Sequence, residues 1–92
     1  MSDTFEAMVT IKNRLGLHAR PAMALVDLAN RYQSQVTFRR ADSQELIDGK
    51  SIMQVMMLAA AQGTQIHVKA DGPDAQQVGQ AIIEMVNREF DE

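Results

Sequence analysis

A histidine and an arginine stand two residues apart in Gly16-Leu17-His18-Ala19-Arg20-Pro21-Ala22, behind a glycine and directly before a proline. A neutral imidazole is a nucleophile, and a guanidinium is a planar fork for phosphate oxygens. Proline is favoured at the first helical position, so Pro21 predicts a helix that opens there. His18 then stands just ahead of a helix N-terminus, where free backbone N–H groups and the macrodipole favour an anion. Gly16 lets the preceding loop turn sharply. Nucleophile, anion fork and helix end together can accept a phosphoryl group and give it up again. Each also has a plainer reading. A histidine before a helix is often a surface residue, and an arginine two positions on is often solvated.

The elements that must hold this stretch are visible in the hydrophobic period. Phe5 to Lys12 alternates, with Ala7, Val9 and Ile11 on one face, which reads as a half-buried strand. From Pro21 to Tyr32, the residues Ala22, Leu25, Val26, Ala29 and Tyr32 recur at helical spacing. Gln35 to Arg39 reads as a second strand. Glu45 to Asp48 reads as a short third one that packs Leu46 or Ile47. Ser51-Ile52-Met53-Gln54 has the form of a capping box. It predicts a helix to about Gln62, stopped by Gly63, with Val55, Leu58 and Ala59 in the core. Gln65 to Ala70 alternates again, with His67 facing solvent. A last helix follows Asp71-Gly72-Pro73 on a stripe of Ala75, Val78, Ile82, Met85 and Val86, and the acidic Phe90-Asp91-Glu92 is expected to fray. The order β-α-β-β-α-β-α belongs to α+β domains.

Composition narrows the function classes. The 92 residues make one domain, residues 1–92, and 46% apolar residues suffice for a core. With no cysteine there is no disulfide framework and no thiolate chemistry, which fits a reducing compartment. Neither a membrane span nor a signal peptide is expected, because no apolar run approaches the length required. A net charge of −3 and only four aromatic residues argue against nucleic acid as the partner. The two histidines have no metal-ligand spacing. Gly49-Lys50-Ser51 ends like a phosphate-binding loop but lacks its upstream glycine.

The stretch from Gly16 to Ala22 resembles, at all seven residues, the active-site sequence of the HPr family, the histidine-containing phosphocarriers of the bacterial phosphotransferase system. The resemblance covers essentially the whole chain. It implies an open-faced sandwich, a four-stranded antiparallel sheet covered on one face by three helices. It implies that His18 accepts phosphate on Nδ1 from enzyme I, itself charged by phosphoenolpyruvate. The group then passes to an EIIA-type acceptor, and Arg20 grips its oxygens. A phosphoramidate suits a carrier, being stable enough to diffuse and reactive enough to transfer. With no second catalytic group nearby, the chain reads as a co-substrate rather than an enzyme with its own turnover. No cofactor, metal or membrane insertion is called for, and a monomer in the cytoplasm is expected.

Lys50-Ser51-Ile52-Met53 matches the family's regulatory serine region, where members are phosphorylated by an ATP-dependent HPr kinase/phosphorylase. Read alone, Ser51 is a helix cap, and the two roles are compatible. A charge there would fall close to His18. The connection leading to this serine is about two residues longer than in sugar-system members, which bears on partner contacts rather than on the fold. Residues 13–23 and 90–92 look closer to nitrogen-branch members, and the serine region closer to serine-regulated ones. Family members present apolar residues around the histidine to their partners. Here Leu17, Met23, Ile52, Met53 and Met56 are the candidate docking patch. The alternative is a non-catalytic regulatory domain that docks a transcription factor or enzyme through the methionine-rich patch; relatives of that kind lack the histidine. A small-molecule sensor domain is the third reading.

Overall fold

Alternating side chains build the sheet. In the computed structural model, which describes residues 3–92, the first strand, β1 (Asp3–Thr10), buries Phe5 and Val9 and exposes Glu6 and Met8. Strand β4 (Gln65–Gly72) buries Ile66, Val68 and Ala70, and β2 (Gln35–Arg40) buries Val36 and Phe38. The two-residue β3 (Ile47–Asp48) turns Ile47 into the core and leaves Leu46 outside. The order is β1-β4-β2-β3 and every pairing is antiparallel. The register sets Phe5 opposite Ala70, and Phe38 opposite Val68. Three helices complete an open-faced sandwich. Among the described residues no helix is long and apolar enough to cross a membrane.

The first helix, α1 (Ala19–Asn30), begins two residues before Pro21, with His18 at the N-cap position. Pro21 is the third helical residue, where a missing N–H is still one of the groups without an intrahelical acceptor. The first helical bond runs from Ala22 N–H to His18 C=O at 3.0 Å. Helix α1 buries Ala22, Leu25, Val26 and Ala29, and ends before Tyr32. The last helix, α3 (Ala75–Asn87), buries Ala75, Val78, Ile82 and Val86; Met85 is half-buried at the core's margin. Gly79 lets the Phe5 ring lie on the α3 backbone, since a Cβ there would stand 2.2 Å from it.

The middle helix departs most from the sequence reading. Helix α2 spans only Ile52–Met57 instead of reaching Gln62. Ala59 adopts φ +48°, a left-handed conformation that ends a helix, and it is exposed. Ala60 takes the core place expected of Ala59. Long-range bonds cause the break. The Arg40 guanidinium donates to the carbonyls of Leu58 and Ala59, and Ala60 C=O accepts from Leu17 N–H.

Asp74 joins α3 to the turn before β2. Its carboxylate accepts from Gln33 N–H at 3.0 Å, Ser34 N–H at 2.9 Å and Ser34 Oγ–H at 2.5 Å. The Ser34 hydroxyl bond, followed by the backbone donors, holds this carboxyl below its ordinary range. A carboxyl lowered on folding stabilises the native state above its unfolded pKa, and that contribution is lost as pH falls through the native value. Asp74→Asn is expected to lower the melting temperature at neutral pH, with the gap from wild type closing in strong acid. A gap that stays constant down to strong acid would exclude the ionised carboxylate as its source.

Candidate functional site

His18 is positioned from both sides of the chain. Before it, the Asn13 backbone C=O closes a tight turn by accepting from Gly16 N–H at 3.1 Å, and Leu17 N–H donates to Ala60 C=O at 2.8 Å. Gly16 has φ +70°, and a Cβ there would stand 2.5 Å from Ala60 O, so this approach needs glycine. After it, α1 begins at once. The His18 backbone is extended, φ −77° and ψ −172°, and its side chain makes no capping bond. The first-turn N–H groups of α1 therefore have no cap from it and favour an anion beside His18.

The segment after α3 completes the site, where fraying was expected. Glu89, Phe90 and Asp91 all have positive φ, from 56° to 60°, which turns the chain back. The half-buried Phe90 packs against the core. Glu92 then reaches the loop. Its Oε2 lies 2.8 Å from His18 Nε2, a close contact without the geometry of a hydrogen bond. The same oxygen lies 3.7 Å from Arg20 Nη2. Asn13, only 2% exposed, donates its Nδ2 hydrogens to Gly16 O at 2.7 Å and Glu92 Oε1 at 3.0 Å. Nε2 of His18 is covered, so the exposed third of that side chain (33%) belongs to the rest of the ring. Arg20, 82% exposed, keeps most of its fork free.

Of the predicted site residues, the structure brings His18 and Arg20 together on one carboxylate. Asn13 and Glu92 were missed. The partners lie 79 residues apart, and the acidic composition of the tail is the sole sequence signal. Met23, Ile52, Met53 and Met56 are all exposed, with α2 packed against α1. Leu17 is not part of that surface. It is 5% exposed and belongs to the core beneath the loop, so its place in the docking patch is corrected. Leu15 and Met57 are exposed and were not anticipated.

Ser51 caps α2, its Oγ accepting from Gln54 N–H at 3.3 Å. The reciprocal arm of the capping box goes elsewhere, because Gln54 Oε1 accepts from Asp48 N–H at 2.9 Å. Neighbouring Lys50 is tied to the end of α1 away from His18. Asn30 Nδ2 donates to Lys50 C=O at 3.2 Å, and Lys50 Nζ donates to Tyr32 C=O at 2.7 Å. Ser51 is thus not close to His18, since the 12 residues of α1 span about 18 Å. His67 is half-exposed, 3.1 Å from Glu6 on the neighbouring strand. Among the described residues no group of three or more acidic or histidine side chains is placed to hold a metal.

A family model described as the PTS HPr component phosphorylation site matches residues 5–88. The chain is 49% identical over 84 residues to the phosphocarrier protein HPr of Pseudomonas putida, covering 91% of this chain and 92% of that one. It is 45% identical over 84 residues to the phosphocarrier protein NPr of Proteus mirabilis, with the same coverage. Among solved structures, HPr from Thermoanaerobacter tengcongensis superposes with a TM-score of 0.89 at 33% identity, covering 96% of this chain and 97% of that one. A loop histidine at an open helix end, on this sheet and with these relatives, leaves one family: the chain belongs to the PTS-HPr family of phosphocarrier proteins of the phosphotransferase system.

Proposed function

We propose that His18 is the phosphoryl acceptor, that enzyme I is the donor and that an EIIA-type protein is the recipient. The observation that carries this is the arrangement of the imidazole, with Nε2 against Glu92 and the rest of the ring open beside the uncapped start of α1. With Nε2 covered by Glu92, Nδ1 is the ring nitrogen left open to phosphorus. The Nδ1–P bond forms as the donor's N–P bond breaks, and the reverse exchange delivers the group to the acceptor. The helix N-terminus and the Arg20 fork stabilise the charge on the equatorial oxygens during both transfers. Met23, Ile52, Met53 and Met56 form the apolar surface on which both partners would dock. Similarity to both HPr and NPr relatives at comparable identity favours neither the sugar nor the nitrogen branch.

Incubation with phosphoenolpyruvate and enzyme I, followed by intact mass measurement before and after acid, tests the reading. One acid-labile phosphoryl group per chain is expected. An unmodified protein, or an acid-stable phosphate, refutes it.

Ser51 as a regulatory phosphorylation site for an HPr kinase/phosphorylase is part of the same reading. A charge there lies beyond a Debye length of about 8 Å from His18 at physiological salt, so it acts on the docking surface rather than on the imidazole. Ser51→Ala is expected to cost about 1 kcal/mol of stability and leave transfer intact. Ser51→Asp keeps a capping oxygen, and it is expected to accept phosphate several-fold more slowly by repelling an acidic partner, less so at high salt. Equal initial rates for all three proteins at low salt would leave the serine a cap alone.

A further inference from the structure

Arg40, the last residue of β2, uses four of its five guanidinium N–H groups in hydrogen bonds. Nη1 donates to Leu58 C=O at 2.9 Å and to Ala59 C=O at 3.2 Å. On the other side, Nε and Nη2 donate to the two carboxylate oxygens of Asp42 at 3.0 and 3.2 Å. That hydrogen bonding and the adjacent positive charge hold the Asp42 carboxyl below its ordinary range. The carbonyls that Arg40 holds flank a strained residue, Ala59 at φ +48°. A left-handed conformation in a residue with a Cβ persists only where its surroundings impose it. One residue on, Ala60 C=O receives Leu17 N–H at 2.8 Å, and the Gly16 backbone is pressed against Ala60 and Ala61.

We infer that Arg40 is a positioning residue for His18: by clasping the carbonyls of Leu58 and Ala59 it holds the left-handed turn that presents the Ala60 carbonyl to Leu17. Asp42 holds the clasp from behind. Without it, the segment after α2 relaxes toward ordinary backbone angles, and the loop that carries His18 loses its anchor. Displacements of about 1 Å in reacting groups slow enzymatic steps by up to 100-fold. This inference rests on the phosphocarrier reading for its kinetic consequence, but the clasp itself has a readout independent of phosphate.

The test compares wild type, Arg40→Ala, Ala59→Gly and the double variant by two measurements. One is amide hydrogen exchange at Leu17; the other is the rate of His18 phosphorylation by enzyme I and phosphoenolpyruvate, resolved into kcat and KM for this protein as substrate. Arg40→Ala is expected to speed Leu17 exchange and lower kcat by about tenfold with little change in KM. Ala59→Gly alone should resemble wild type. The double variant should recover both protection and rate, because glycine takes positive φ without the clasp. Should Arg40→Ala fold poorly, Arg40→Lys carries the same test, since it keeps charge and a donor but loses the fork. Wild-type exchange and rate in the Arg40 variant would overturn the inference. So would a defect confined to KM, or one that glycine at position 59 fails to rescue. Wild type that takes no phosphate on His18 would refute the proposed function, and Leu17 exchange would still decide the clasp.

Discussion

His18→Ala is expected to abolish phosphorylation by enzyme I while leaving the fold in place. The imidazole, the proposed nucleophile, stands at the open N-terminus of α1, with Arg20 two residues on. Water or a backbone group cannot hold a phosphoryl group there for delivery. The cost in stability is small for three reasons. The side chain is a third exposed, it caps nothing, and Glu92 keeps its bond from Asn13 after the imidazole is gone. Changes of this kind away from the core stay within about 0.5 kcal/mol. Intact mass after incubation with enzyme I and phosphoenolpyruvate reads the result. Labelling of the variant at the wild-type rate would refute the assignment, and a large drop in melting temperature would make the histidine structural.

Arg20→Ala is expected to slow transfer by roughly 10–1,000-fold, the scale of removing one group that stabilises developing charge. Its protein contact is a single loose approach to Glu92 at 3.7 Å, with 82% of the side chain exposed. Exposed ion pairs of that kind contribute little to stability. The melting temperature should therefore hold while the rate falls, both from enzyme I and toward the acceptor. Arg20→Lys should recover only part of the loss, because an ammonium offers a point charge and not a fork. Normal transfer kinetics with a markedly lower melting temperature would assign the residue to the fold instead.

The alternation of Val9 and Ile11, of Ile66, Val68 and Ala70, and the stripe of Ala22, Leu25, Val26 and Ala29 settled which face of each element is buried. Those patterns depend on the local period alone, and the structure follows them. His18 at the start of a helix was equally legible, because Gly16 and Pro21 mark the loop and the helix by their own backbone limits. Long-range contacts decided the rest. Helix α2 stops at Met57 because Arg40 draws the carbonyls of Leu58 and Ala59 across from another strand. Leu17 turns inward because its N–H is held by Ala60 on the far side of the loop. The tail folds back instead of fraying because Phe90 finds the core and Glu92 finds Asn13 and His18. Each of those partners lies far away along the chain. Periodicity and capping report only a residue's own turn or pleat, so contacts that close such long loops become visible once the sheet has brought their ends together.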